Sequence, residues 1–77
     1  MRKTRRAREV DRIIGKNLHS RMRLLKIEPE RLASRLRLSG YDLHRVLTGQ
    51  DRLHPEGLYE ASVFLGVPLV VIFDGAF

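Results

Sequence analysis

Residues 29–49 read Pro29-Glu30-Arg31-Leu32-Ala33-Ser34-Arg35-Leu36-Arg37-Leu38-Ser39-Gly40-Tyr41-Asp42-Leu43-His44-Arg45-Val46-Leu47-Thr48-Gly49. Pro29 suits the first position of a helix, where its φ is already helical and its missing N–H is no loss. Leu32, Ala33 and Leu36 then give that short helix one inner face. Arg37 to Ser39 is the turn. Ser39, followed three residues later by Asp42, is a capping-box-like pair that starts the next helix. That helix runs to about Leu47 and stops near Gly49. The stretch predicts two short helices on either side of a tight turn, each with an apolar side to bury.

The same periodicity extends in both directions. Val10, Ile13, Ile14, Leu18, Met22 and Leu25 follow helical spacing from about residue 9 and predict a first helix with one buried stripe. Residues 1–8 hold Arg2, Lys3, Arg5, Arg6 and Arg8 without any apolar stripe, and are expected as a flexible basic arm ahead of a single domain over 9–77. Downstream, Pro55 opens a fourth helix whose inner face is Leu58, Ala61, Ser62 and Leu65. Gly66 ends it, and Pro68 starts a last short turn through Phe73. The expected fold is all-α, with five helical segments. Val63, Val70, Val71 and Phe77 are left over as apolar surface that completes the core, forms a homodimer interface or meets another protein. A chain of 77 residues buries only about 60% of its unfolded surface, which favours a dimer.

Charge divides the chain. All 15 Lys and Arg lie within residues 1–52 together with six acids, a formal +9, whereas residues 53–77 carry only Glu56, Glu60 and Asp74. Such asymmetry predicts one side facing a polyanion and another serving packing or association. With no cysteine, disulfides, thiolate zinc sites and cysteine nucleophiles are excluded. His19, His44 and His54 have no partner at ligand spacing, so no metal or other cofactor is expected. No constellation of nucleophile, base and orienting group emerges, and an enzyme is not expected. The apolar runs are too short to span a bilayer or form a signal peptide, so the expected location is the cytoplasm, at the nucleoid, with no membrane partner.

The third helix is where a polyanion would be read. At about 100° per residue, Leu43, Val46 and Leu47 share one side, and Tyr41, His44, Arg45 and Thr48 share the other. A core-anchored helix with that polar ridge fits a major groove about 12 Å wide, where Arg bonds guanine O6 and N7 in a bidentate way. An outward His44 could make binding pH-dependent, but a plain solvated or base-contacting imidazole is the favoured reading. His54 falls where the fourth helix needs an N-cap, and His19 is expected on the exposed side of the first helix.

Over residues 14–73 the chain resembles the phage-repressor-like helix-turn-helix family, the Cro/C1 or Xre type. The matching residues are Ile14-Gly15-Lys16, Leu32-Ala33, Leu36, Ser39, Leu43, Arg45, Val46 and Gly49, followed by Leu58, Leu65-Gly66-Val67, Leu69 and Phe73. The resemblance implies a compact lambda-repressor-like domain in which the third helix enters the major groove, while the start of the second helix and the loop after the third hold phosphates. By position it implies base contacts at Gly40, Tyr41, His44 and Arg45, and phosphate contacts at Ser39, Thr48, Gln50 and Arg52. Helix N-termini offer backbone N–H groups to phosphates whatever their side chains. The chain departs from the family at Pro29, where many members have Gln. Gly40 offers no side chain to a base, and Asp42 is repelled by phosphate and better suited to capping. Met22 and Leu47 stand where many members pair Arg with Glu, an exchange that costs a fold little.

The expectation is therefore a sequence-specific double-stranded DNA-binding transcriptional regulator acting as a homodimer on an inverted repeat. Pro29, Gly40 and the apolar C-terminus keep open a protein-interaction module, such as an antitoxin, anti-repressor or adaptor, with another regulatory protein or RNA polymerase as partner. The basic arm keeps open a non-specific DNA-binding protein. Few aromatics are present for base stacking, which argues against a single-strand binder.

Overall fold

A computed structural model describes the backbone of residues 2–77 and the side chains from residue 8 onward. Five helices make up its regular structure: α1 (Arg2–Leu25), α2 (Pro29–Leu36), α3 (Gly40–Leu47), α4 (Pro55–Leu65) and α5 (Leu69–Ile72). Among the described residues there is no strand. The radius of gyration, 11.6 Å, is close to the roughly 11.5 Å expected of a folded domain of this length.

α1 starts well before residue 9. Arg and Lys are good helix formers and no Gly or Pro interrupts the segment, so the backbone expected as an arm is continuous with the helix from Arg2. The side chains of Arg2, Lys3, Arg5 and Arg6 lie outside the described residues.

Three helices end in the same way. Lys26, Arg37 and Gly66 follow α1, α2 and α4 in the left-handed conformation, with φ of 57°, 59° and 68°. The next N–H in each case, of Ile27, Leu38 and Val67, bonds back to the carbonyl of Met22, Ala33 or Ser62 at 2.9, 2.9 and 3.0 Å. This is the Schellman arrangement, in which the apolar residue after the cap folds back on the helix. Ile27, Leu38 and Val67 all pack on the core. The first of these turns corrects the expected stripe of α1: the chain reverses at Lys26, so Leu25 is exposed and Ile27 packs in its place.

Local chemistry also sets the helix starts. Ser39 Oγ accepts the N–H of Asp42 at 3.0 Å and caps α3. The capping box is only half made, since no bond returns from the Asp42 side chain to Ser39. His54 holds the N-cap position of α4, as expected, but its side chain makes no capping bond, and Pro55 with Glu56 in the first turn favours the start.

The core is drawn from every helix: Leu18 and Met22 of α1, Leu32 and Ala33 of α2, Leu43 and Val46 of α3, Ala61 and Leu65 of α4, and Ile72 of α5. Val10, Ile13 and Ile14 are half-buried at its edge. Glycines let α1 and the end of α3 approach closely. A Cβ on Gly15 would overlap the carbonyl oxygens of Val46 and Leu47, and one on Gly49 would lie 2.7 Å from the Arg12 Cα. Gly49 also has φ of 80°, a conformation that glycine adopts without penalty. On the far side, Asn17 Nδ2 donates to the carbonyls of Ile72 at 2.7 Å and Asp74 at 2.9 Å, tying α5 to α1. α2 meets α4 through the Arg35–Glu60 ion pair at 3.2 Å and through Arg31 and Arg35 over the Phe64 ring.

Candidate nucleic-acid interface

α3 carries the expected ridge. Leu43 and Val46 are buried and Leu47 is half-buried, which turns Gly40, Tyr41 and His44 to solvent. Tyr41 is 69% exposed, a large aromatic surface with no packing reason to face water. Gly40 is the first residue of the helix, and a Cβ there would meet nothing within 4 Å. Packing does not require glycine at that position.

Arg45 is half-buried and held on three sides. Its Nε lies 3.6 Å from Asp51 Oδ2, its Nη2 donates to the Gln50 carbonyl at 3.4 Å, and its guanidinium carbon stands 6.0 Å from the centre of the Tyr41 ring. The Tyr41 side chain, and after it Asp51, raise the Arg45 pKa above its ordinary value against an opposing desolvation effect. Arg45 thus keeps the place on the ridge that the rotation implies, with its guanidinium drawn toward the loop after α3.

The loop after α3 folds back on the helix end. The N–H groups of Thr48, Gly49, Gln50 and Asp51 bond to the carbonyls of His44, Val46, Arg45 and Arg45, respectively. Thr48 Oγ1 donates to the His44 carbonyl at 2.8 Å and accepts from Gln50 Nε2 at 3.0 Å. The backbone here has therefore spent its donors. An anion at Thr48 or Gln50 would be met by the side chains. Arg52 donates through Nε to Asp11 Oδ1 of α1 at 3.1 Å, and its side chain is otherwise largely exposed.

The two helix starts differ in what they offer an anion. At α3 the N–H groups of Gly40 and Tyr41 have no partner among the described residues, as the first N–H groups of a helix do not. At α2 the start is Glu28-Pro29-Glu30, with one donor absent and two carboxylates present, so the phosphate contact implied there has no support.

The structure adds Arg12, which the sequence reading did not single out, and sets it in line with Arg8 of the expected arm and with Lys16. Arg8, Arg12 and Lys16 are exposed and recur every four residues, forming one basic stripe on α1. Arg8, Glu9 and Arg12 line a hollow together with Gly49, so the stripe passes beside the exit of α3. The i, i+4 recurrence was visible in the sequence; its neighbour Gly49 was not. Asp11 and Asp51, which orient Arg52 and Arg45, left no signal of their own.

The other expected surface is apolar. Val63, Val70 and Phe77 are 50%, 71% and 94% exposed, whereas Val71 is half-buried. Leu24, 69% exposed, joins Val71 in a shallow hollow beside Asn17 and Asp74. Among the described residues no group of three or more His, Cys, Asp and Glu side chains is placed to hold a metal ion, and no helix is long and apolar enough to cross a membrane. Comparison of the chain with protein-family models, curated proteins and solved structures finds no match in any of the three.

Proposed function

We propose that this chain is a lambda-repressor-like helix-turn-helix domain that binds double-stranded DNA in a sequence-specific way and regulates transcription. The observation that carries the reading is the exposed ridge of α3, with Tyr41, His44 and an oriented Arg45, together with cations near the exit of that helix: Arg52, paired with Asp11 of α1, and Arg8 and Arg12, which line a hollow with Gly49. A helix with side chains is about as wide as the major groove, so the ridge would meet base edges while the flanking cations meet phosphates. The unpartnered N–H groups of Gly40 and Tyr41 add donors at the end of α3 that would enter first.

The exposed Val63, Val70 and Phe77, with the half-buried Val71, are the candidates for a homodimer surface. A two-fold dimer would set two α3 helices about 34 Å apart and require an inverted repeat. A bacterial nucleoid is the compartment this function implies. Selection of bound duplexes from a random pool at physiological salt tests the reading: enrichment of an inverted repeat supports it, and binding that fades with salt and enriches nothing leaves a non-specific DNA-binding protein.

A second reading has its own observation. A groove of about 470 Å³, lined by Val10, Ile14, Leu53, Leu58 and Phe77, lies open beside Arg52, and the start of α2 is acidic. Those features favour a protein-interaction module on the same fold, with another regulatory protein or RNA polymerase as partner.

A further inference from the structure

We infer that Asp51 is a positioning residue that presents Arg45 end-on to a guanine. The inference rests on the reading of α3 as the helix that enters the groove, and it names what that helix recognises.

A guanidinium has two edges that can make paired hydrogen bonds. One is formed by Nε–H and the adjacent Nη2–H, the other by the two terminal nitrogens. In Arg45 the first edge faces the protein: Nε points to Asp51 Oδ2 at 3.6 Å and Nη2 to the Gln50 carbonyl at 3.4 Å. The Tyr41 ring centre stands 6.0 Å from the guanidinium carbon. The terminal edge is left over. Its two parallel N–H bonds match O6 and N7 of guanine, a geometry that no other base offers in the major groove.

Asp51 is itself fixed. Its Oδ1 accepts the N–H of Arg52 at 3.1 Å, which leaves Oδ2 for Arg45. Its own N–H and that of Gln50 bond to the Arg45 carbonyl at 3.2 and 2.8 Å. The backbone of Arg45 thus holds the loop that holds the side chain of Arg45. A carboxylate next to a DNA-binding ridge repels phosphate, and orienting the arginine is a benefit that offsets this cost. An arginine without such support has more rotamers to lose and reaches phosphates as readily as bases.

The test selects bound duplexes from a random pool with the wild-type protein, Arg45→Ala, Asp51→Asn and Asp51→Ser. Asn keeps the size of Asp51 and an acceptor for the Arg52 N–H but removes the charge. The wild type is expected to favour guanine at one base pair of each half-site, and Arg45→Ala to lose that preference. Both Asp51 variants are expected to lower it by about 5-fold or more at that pair alone, with overall affinity unchanged or higher. Thermal unfolding checks that each variant is folded, and either folded Asp51 variant suffices. If the Asp51 variants keep the guanine preference that Arg45→Ala loses, the positioning role is overturned and the reading of α3 stands. If the wild type enriches no sequence, both are overturned.

Discussion

Gly15 of α1 lies against the carbonyl oxygen of Val46 in α3 with no room for a Cβ between them. The depth and angle of α3 on the core follow from that contact. A methyl group there must push α3 outward or distort α1, because the obstructing atoms are backbone. Gly15→Ala is therefore expected to lower stability by about 1–3 kcal/mol, the usual cost of overpacking. Urea unfolding of the two proteins measures it, and an unchanged midpoint would contradict the close packing.

The same substitution at Gly40 has the opposite expected sign. A Cβ there meets nothing, and alanine favours a helix over glycine by up to about 1 kcal/mol. Gly40→Ala should leave stability equal or higher. Weaker DNA binding in such a stable variant would mean that a partner approaches the backbone at Gly40 closely. Unchanged binding would remove Gly40 from the interface.

Arg37 ends α2 with φ of 59°, a conformation that costs a residue with a Cβ more than it costs glycine. Its side chain is exposed and makes no hydrogen bond or ion pair within the described residues. Arg37→Gly is expected to raise stability by about 0.5–1 kcal/mol, offset in part by the greater freedom of glycine in the unfolded chain. The check is the denaturant midpoint at constant slope.

Asn17 is the polar link between α1 and the C-terminal segment, with two donors on two carbonyls. Asn17→Leu should cost about 1–3 kcal/mol, because the partners lose their donors in a partly buried place. Hydrogen exchange would show the loss concentrated at α5. Uniform loss of protection over all five helices would point to a global effect instead.

What the sequence made legible was chemistry that acts over a few residues. Pro29, Ser39, Pro55 and Gly66 each specify a helix end through their own backbone or side chain, and those ends were found. Lys26 was not, because the left-handed cap there is occupied by a residue whose type does not advertise it; the exchange of Leu25 for Ile27 in the core follows from that single turn. The start of α1 was missed because repulsion among like charges was weighed above the helix propensity of Arg and Lys. On the candidate site, Tyr41, His44 and Arg45 could be placed on one face by rotation alone. Asp51 and Asp11 could not be tied to Arg45 and Arg52, since those pairs exist only after the loop folds back and α1 crosses it.

Arg12 is where the electrostatic part of the reading is most exposed to test. Its backbone and the base of its side chain lie against Gly49, so this exposed cation is rooted next to the exit of α3. If Arg12 meets a phosphate, Arg12→Gln weakens binding to all duplexes by a similar factor and reduces the slope of log affinity against log salt by about 0.9. Arg45→Ala is expected to change the preferred sequence more than the slope, because a base contact releases no phosphate counterion. Titrations at several salt concentrations, on the selected duplex and on a scrambled one, separate the two. An Arg12→Gln protein with an unaltered slope would place the phosphate path away from α1 and leave the loop after α3, with Arg52, as the backbone contact.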